Sequence, residues 1–208
     1  MIGLSNVMKA KRQAADEDYE LVSQCKRGDV DAFEMLVKKH EQRMFNIAYR
    51  MLGNYDDACE IVQDAFISAY RGIKHFRGMA KFSTWLSTIV INLSRNRLKQ
   101  LKTVRSHEQL SLSNPVAAGG EEMQPELASS EHSALETVEQ RDIQEKVQEC
   151  INALDAEFKE VLVLRDIQGF SYDEISEMLK VPGGTVKSRL FRARAAVKDC
   201  LKSLLGDL

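Results

Sequence analysis

The sequence predicts an all-helical protein made of two small domains joined by a flexible acidic linker. Apolar residues recur at spacings of three and four along most of the chain, and strict strand-like alternation is absent. Residues 104–140 differ from both flanks because they contain prolines, paired glycines and seven glutamates but no aromatic side chain. We therefore expect an N-terminal extension over 1–16, one helical bundle over 17–103 and a second over 141–208.

Length and composition agree with this division. The chain has 208 residues, 44% of them hydrophobic, which is enough for two modest cores. Three prolines and 11 glycines argue against a β-sandwich or a proline-rich scaffold. No apolar run approaches the roughly 20 residues of a membrane span, and no signal-peptide pattern is visible at the N-terminus. We expect no membrane insertion.

Two helices with clear apolar stripes open the N-terminal domain. The first is expected to end at Gly53, a typical helix stop. Its stripe consists of Phe33, Leu36, Val37, His40, Met44, Ile47, Ala48 and Met51. The second stripe consists of Ala58, Ile61, Val62, Ala65, Phe66, Ala69 and Tyr70. Each helix thus has one face suited to a shared core.

The reverse face of the second helix is mixed in character. It carries Gln63, Asp64, Ile67 and Arg71. Ile67 is apolar on a face that should meet water, but single exposed apolar residues are common. The pattern alone leaves open whether this face is only solvated or is a docking surface for a partner.

A third helix, over about 83–102, follows a glycine-containing loop at 76–81. Its core side is expected to hold Phe82, Leu86, Ile89 and Leu93, and its opposite face Thr88, Asn92, Arg95, Lys99 and Lys102. The loop and helix start interleave aromatic rings with cations, a combination that suits single-stranded nucleic acid. Trp85 taken alone is more typical of a core anchor.

The C-terminal domain has the pattern of a helix-turn-helix. Ser171 and Glu174 form a capping-box sequence before a short helix. A turn is expected over 180–184, and a second helix from about Thr185. Its buried stripe would be Val186, Leu190, Ala193 and Val197, and its outward face Lys187, Ser188, Phe191 and Arg192. Such a face can bond guanine and contact a thymine methyl in the major groove.

Charge is unevenly distributed despite a net charge of −2. Residues 71–105 hold nine basic side chains and no acid, and residues 180–202 hold seven basic side chains and one acid. Two basic blocks on an acidic background are typical of polyanion-binding surfaces, although two solvated helix faces would give the same pattern. We also expect these oppositely charged parts to fold back on each other weakly in the free chain.

Catalytic and metal-binding patterns are not recognisable in the sequence. The four cysteines are far apart and the four histidines are scattered, so a zinc site or disulfide framework is not expected and free thiols are the default. His40 lies on a core stripe and is most simply a hydrogen-bonded structural residue. No nucleophile motif or phosphate-binding glycine loop is present.

Several motifs resemble those of bacterial sigma factors. Gln63-Asp-Ala-Phe-Ile-Ser-Ala-Tyr-Arg71, Phe76-Arg-Gly78 and Phe82-Ser-Thr-Trp-Leu86 are similar to the second sigma domain. Residues 164–175 and 182–194 are similar to the fourth domain. With those two domains and little between them, the chain resembles the extracytoplasmic-function (ECF) group of sigma-E type.

The resemblance implies roles for the matching positions. It implies polymerase binding by Gln63, Asp64, Ile67 and Arg71. It implies recognition of the minus-ten element by Arg77, Lys81, Trp85, Thr88, Asn92, Arg95, Asn96 and Lys99, with Asn92 near a flipped base. It implies recognition of the minus-thirty-five element by Thr185, Lys187, Ser188, Arg189, Phe191, Arg192 and Arg194.

The function expected from residues and resemblance together is a transcription initiation factor, without catalytic residues and without a cofactor. Its implied partners are core RNA polymerase at the clamp helices and flap, promoter DNA as duplex and single strand, and an anti-sigma factor. The expected compartment is the cytoplasm. The alternative is a stand-alone helix-turn-helix regulator, but such a regulator has no need of an aromatic and cationic single-strand surface in its N-terminal domain.

Overall fold

A computed structural model describes residues 16–111 and 134–206. Four helices form the N-terminal domain: α1 (Tyr19–Lys26), α2 (Val30–Leu52), α3 (Tyr55–Gly72) and α4 (Phe82–Ser111). Four form the C-terminal domain: α5 (Ala134–Asn152), α6 (Ala156–Leu162), α7 (Tyr172–Leu179) and α8 (Gly183–Leu205). A short 3-10 turn, Ile73–His75, follows α3, and a π-helical segment, Val163–Ile167, follows α6. The part of the chain described here contains no strand, so the predicted all-helical class is confirmed.

The N-terminal bundle forms where the apolar stripes predicted it. Asp29 caps α2 by accepting a hydrogen bond from the Ala32 amide, and Asn54 caps α3 in the same way. Gly53 ends α2 with a positive φ of 73°, the left-handed conformation that a glycine adopts without steric cost. The core of the N-terminal bundle contains Leu36, Met44, Ile47, Met51, Ala58, Ile61, Ala65, Phe66, Phe82 and Leu86.

The helices on either side of the expected linker are longer than the sequence predicts. α4 continues through Ser111, and α5 already begins at Ala134. The linker expected over 104–140 therefore includes helical ends on both sides. Residues 112–133, on which the expectation of flexibility falls, lie outside the described residues.

The helix-turn-helix of the C-terminal domain is present. Ser171 accepts a hydrogen bond from the Glu174 amide, and the Glu174 carboxylate accepts one from the Ser171 amide, so the capping box is confirmed. The turn is shorter than expected, because α8 begins at Gly183 and not at Thr185. Lys180 takes a left-handed conformation with φ 55° and ends α7, which allows this tight turn.

A disulfide bond joins Cys150 on α5 to Cys200 on α8. This corrects the expectation of free thiols, which holds only for Cys25 and Cys59 among the described residues. The sequence separation of 50 residues hides the pairing, since only the packing of α5 against α8 brings the two side chains together.

The two domains pack directly against each other. α2 contacts α5, α6 and the π-helical segment, while α4 contacts α7. Gly53 lies at this junction, where a Cβ atom would come within 2.7 Å of three atoms of the Asn152 side chain. The described chain is thus a closed arrangement of two bundles. Within residues 16–111 and 134–206, no helix is long and apolar enough to cross a membrane.

Candidate nucleic-acid interface

The outer face of α3 is exposed as the sequence predicts. Gln63, Asp64, Ile67 and Arg71 all meet solvent, and Ile67 is 40% exposed. Tyr70 differs from the expectation, because it is 46% exposed and lies beside this face rather than in the core. Its ring packs edge-on against Phe33, with centroids 5.0 Å apart. An exposed aromatic residue beside an exposed isoleucine enlarges the apolar part of this surface.

A cavity of about 500 Å³ lies between the loop that precedes α4 and helix α7. Its lining includes Phe76, Arg77, Met79, Trp85, Thr88 and Met178. The Trp85 ring packs 4.9 Å from Phe76 and 5.8 Å from Phe82, between centroids, and remains partly accessible. Trp85 therefore packs against neighbouring rings and also lines the cavity. A structural role and a role in binding single-stranded nucleic acid are thus compatible for this residue. An aromatic wall next to cations can receive an unstacked base.

The basic face of α4 brings most of the predicted minus-ten residues to the surface. Asn92, Asn96 and Lys99 are exposed on the helix, and Arg77 and Lys81 are exposed in the loop. Thr88 is partly buried, and its hydroxyl donates a hydrogen bond to the Thr84 carbonyl oxygen at 2.9 Å. The exposed members of the predicted set thus extend from the loop along α4.

Arg95 is the exception on this face because it is paired across the domain junction. Its Nε and Nη2 atoms donate hydrogen bonds to both carboxylate oxygens of Glu160 on α6, at 2.6 and 2.7 Å. The Glu160 side chain is only 4% exposed. The carboxylate raises the pKa of Arg95 above its usual value, chiefly through this hydrogen bonding. In the closed arrangement, Glu160 therefore occupies two of the three guanidinium nitrogens of Arg95 that could otherwise contact a phosphate.

Other contacts across the junction involve residues that sequence reasoning did not single out. The Arg43 guanidinium donates to the side-chain and backbone oxygens of Gln168, at 3.1 and 3.0 Å, and stacks 4.6 Å from the Phe170 ring centroid. Arg50 donates to the Gln148 side chain at 2.9 Å. Arginines among the apolar residues of α2 are a weak indication in the sequence of such contacts. Their partners lie about a hundred residues away in the chain, so no local pattern identifies them.

Lys159 is buried in the junction between the two domains. Its amine donates to the Met51 carbonyl oxygen at 3.2 Å, and the residue is 4% exposed. Burial, with a smaller contribution from Lys102, lowers the pKa of Lys159 from 10.5 to about 8. That difference corresponds to about 3 kcal/mol against burying the charged amine. The charged amine therefore opposes closure at neutral pH, and the opposition fades as the pH rises from about 8 towards 10.5.

The first turns of α8 present the predicted outward face. Lys187, Ser188, Phe191 and Arg192 are exposed, and Phe191 is 76% exposed. Thr185 is partly buried in the first turn. An apolar ring left this open beside basic residues is suited to a groove contact rather than to a core.

Two arginines of α8 lie to the sides of that face and make ion pairs within their own domain. Arg189 pairs with Glu157 on α6. Arg194 donates to both oxygens of Asp166 at 2.8 and 2.6 Å. Both were predicted as DNA-binding residues. In this arrangement they brace α8 against the preceding helices.

Comparison with known families matches both domains. Residues 36–103 match the family described as Sigma-70 region 2, and residues 144–197 match the family described as Sigma-70, region 4. The first match covers most of α2 through α4 and the second covers α5 through much of α8. Together they include every residue predicted above for polymerase or DNA contact.

Curated relatives resemble the chain over nearly its whole length. The chain is 35% identical over 190 residues to the ECF RNA polymerase sigma factor SigW of Bacillus subtilis, covering 88% of this chain and 96% of the relative. It is 32% identical over 192 residues to the RNA polymerase sigma-H factor of Pseudomonas aeruginosa, covering 92% and 97%. It is 32% identical over 189 residues to the ECF RNA polymerase sigma-E factor of Escherichia coli, covering 90% and 96%.

Two solved structures share the fold. CnrH, described in complex with the cytosolic domain of CnrY, matches with a TM-score of 0.63 and 23% identity, over 90% of this chain and 99% of CnrH. The sigma factor RpoE of Bartonella quintana, described in complex with the anti-sigma factor NepR, matches with a TM-score of 0.61 and 24% identity, over 83% and 98%. At these identities the likeness concerns the fold.

Proposed function

Because the chain belongs to the sigma-70 family and is an ECF-type transcription initiation factor that directs RNA polymerase, we propose how its surfaces divide that work. The N-terminal domain, from Asp16 to the end of α4, holds polymerase and reads the minus-ten element. The C-terminal domain, from α5 onward, reads the minus-thirty-five element. The single observation that carries this division is the pair of separate exposed basic faces on α4 and α8.

The polymerase-binding surface is the outer face of α3, formed by Gln63, Asp64, Ile67 and Arg71. Support comes from its mixed composition, with an exposed isoleucine among polar side chains, and from its position opposite the buried stripe. Interfaces combine an apolar centre with a polar rim in this way. Tyr70 extends the apolar centre.

Asp64→Arg is expected to weaken binding to core polymerase by at least about tenfold while the helical fold is kept. The position is exposed, so the change touches no core contact, but reversing a charge inside an interface is costly. Pull-down with core enzyme measures the binding, and circular dichroism monitors the fold. Asp199→Arg, an exposed aspartate on α8, is the matched control. Wild-type binding by a folded Asp64→Arg variant would contradict the docking role.

The minus-ten surface consists of Arg77, Lys81, Trp85, Thr88, Asn92, Arg95, Asn96 and Lys99. The cavity bounded by Phe76 and Trp85 supports a site for an unpaired base, and the exposed cations beside it support contacts to the phosphates on either side. Unpairing and flipping a base costs a few kcal/mol, which stacking and phosphate contacts in this surface must offset. Strand separation then needs no catalytic residue.

The minus-thirty-five surface consists of Thr185, Lys187, Ser188, Arg189, Phe191, Arg192 and Arg194. Its exposed face at the start of α8 suits the major groove of duplex DNA. Arg189 and Arg194 can serve there as phosphate contacts only if their ion pairs with Glu157 and Asp166 are exchanged for DNA. Lys187, Phe191 and Arg192 are the better candidates for base contacts.

Substitutions in the minus-ten surface and in the minus-thirty-five surface are expected to impair different steps of initiation. Asn92→Ala should impair open-complex formation more than closed-complex binding, because the residue acts on unpaired bases. Arg192→Ala should weaken closed-complex binding and relax specificity upstream, by about 1–3 kcal/mol for a lost bidentate base contact. Permanganate footprinting measures opening, and filter binding measures the closed complex. Equal losses at the same step by both variants would refute the division of labour.

The packing of the two domains against each other supports self-masking of the free factor, by which we mean that contacts between its domains occupy DNA-binding groups. Arg95 is held by Glu160, and Glu177 and Met178 of α7 form part of the wall of the cavity beside Trp85. Separation of the domains would release Arg95 from Glu160 and remove the α7 part of the cavity wall. Binding to polymerase would hold the domains apart at promoter spacing, and effective concentration would then combine the two modest DNA affinities.

Family membership supports three further expectations, which concern the partner, the compartment and the absence of enzyme activity. Two proteins of the same fold are described in complex with an anti-sigma factor or with the cytosolic domain of another protein, which supports an anti-sigma partner for this chain. A factor that works on polymerase and promoter DNA is expected in the cytoplasm, and its action by binding alone requires no enzyme activity and no cofactor. The stand-alone regulator is not favoured, since both sigma regions match.

A further inference from the structure

The loop between α3 and α4 is held at both ends by the segment that precedes α2. At its start, the Lys26 amine donates a hydrogen bond to the Phe76 carbonyl oxygen at 2.6 Å. At its end, the Asp16 carboxylate accepts a hydrogen bond from the Phe82 amide at 2.8 Å. Neither residue is among those predicted for function, and both lie outside residues 36–103, where the family match falls.

Each contact supplies a hydrogen-bond partner to a backbone group at one end of the loop. Phe82 is the first residue of α4, so its amide has no partner within the helix, and a carboxylate is favoured at this positive end. The Phe76 carbonyl oxygen faces α1, where the Lys26 amine reaches it. The same amine lies 5.5 Å from the centroid of the Phe76 ring, which adds a cation–π contact.

The two contacts of Asp16 and Lys26 with the loop, here called the clamp, come from a segment that is itself held in place. Asp18 at the start of α1 is 2% exposed and lies 2.7 Å from both the His40 ring nitrogen and the Lys39 amine. Burial acts to raise the pKa of Asp18, but the hydrogen bonds with His40 and Lys39 outweigh it and lower that pKa. Asp16 also accepts from the Asp18 amide at 3.2 Å. α1 is therefore anchored to α2 independently of the loop.

Between the two anchors, the loop turns at Gly78, which has a positive φ of 63° and is buried. Arg77, Met79 and Ala80 of this short segment line the cavity beside Trp85. Fixing both ends of so short a loop limits the paths its backbone can take. The clamp thus fixes the position of the wall that the loop contributes to the cavity.

We propose that Asp16 and Lys26 are positioning residues that hold the loop in the geometry that receives an unpaired promoter base. The inference rests on the proposed minus-ten role of this loop. It assigns the selectivity of single-strand recognition partly to the segment before α2, which makes no DNA contact of its own in this scheme. Release of either anchor leaves the minus-thirty-five surface on α8 untouched.

The test uses holoenzyme assembled from core polymerase and full-length variants. The probe is the labelled single strand of the minus-ten region from a promoter that the wild-type holoenzyme transcribes, with all four bases tried at each position. Duplex carrying only the upstream element is the second probe. Lys26→Met removes the donor and keeps the aliphatic stem, and Asp16→Ala removes the acceptor. The matched controls are Lys38→Met and Asp31→Ala, at exposed positions on α2.

Lys26→Met and Asp16→Ala are each expected to lower single-strand affinity about tenfold and to reduce base discrimination, since each loses a hydrogen bond to a charged group. Upstream duplex affinity should change by less than about twofold. Lys26→Arg, which keeps a charged donor, should recover most of the loss. Thermal unfolding is followed in parallel for every variant.

Three results would overturn the inference. One is unchanged single-strand affinity and discrimination. Another is an equal loss on both probes with a lowered unfolding temperature, which would mean that the residues only stabilise the domain. The third is an equal effect of Lys38→Met or Asp31→Ala. Failure of the wild-type holoenzyme itself to prefer any base would instead contradict the proposed minus-ten role of the loop, and the clamp with it.

Discussion

Glu160→Arg is expected to separate the two domains of the free chain and to raise its affinity for promoter DNA by at least about tenfold. Glu160 is buried and accepts hydrogen bonds from two of the three guanidinium nitrogens of Arg95, so the substitution replaces an ion pair with two cations in contact. Removing one partner of a buried ion pair costs about 3–5 kcal/mol, and the Glu160 side of this pair is buried. Opening relieves all of these costs at once.

The measurement pairs small-angle scattering with DNA binding by the full-length chain in the absence of polymerase. Glu160→Arg should increase the radius of gyration and free Arg95 for DNA. Glu149→Arg, an exposed glutamate on α5, controls for the added positive charge. Because the Glu160 carboxylate of this pair is buried, salt should loosen closure less than it would loosen an attraction between two exposed charges. An unchanged radius, or equal gains in affinity from both variants, would contradict self-masking through this junction.

Loss of the disulfide is expected to lower the stability of the C-terminal domain by about 4 kcal/mol, because Cys150 and Cys200 close a loop with a sequence separation of 50 residues. That loop contains α7, the turn and α8 as far as Cys200, so the unfolded chain regains much conformational freedom when the bond is removed. Urea unfolding with and without a thiol reductant measures the change, and the Cys150→Ala, Cys200→Ala double variant should match the reduced protein. Cys59→Ser, at an exposed free thiol, should have little effect. Equal unfolding midpoints for oxidised and reduced protein would show that the crosslink does not stabilise the domain.

Local features of the fold were predictable because they depend on neighbouring residues. Gly53 ends α2 as predicted, since a glycine after an apolar stripe accommodates the left-handed conformation. Ser171 and Glu174 form the capping box that their spacing indicates. Helix periodicity also placed the outward faces of α3, α4 and α8, because a repeat of 3.6 residues fixes which side chains share a side.

Features that depend on distant residues could not be derived from those patterns. The Arg95–Glu160 and Arg43–Gln168 contacts join segments 65 and 125 residues apart. The Cys150–Cys200 bond depends on how α5 packs on α8. Tyr70 shares the periodicity of the core stripe, yet it lies at the edge of the helix face and meets solvent. Tertiary packing decides such positions, and no local spacing encodes it.

The central claim is that this chain makes promoter-specific initiation possible for core RNA polymerase. In vitro transcription on a panel of promoters, with core enzyme alone, the chain alone and both together, tests this claim most directly. We expect defined transcripts from a subset of promoters only when both are present, and their loss with Asp64→Arg. Tight duplex binding by the chain alone, with no promoter-specific transcript when core enzyme is added, would contradict the role of initiation factor and favour a stand-alone DNA-binding regulator.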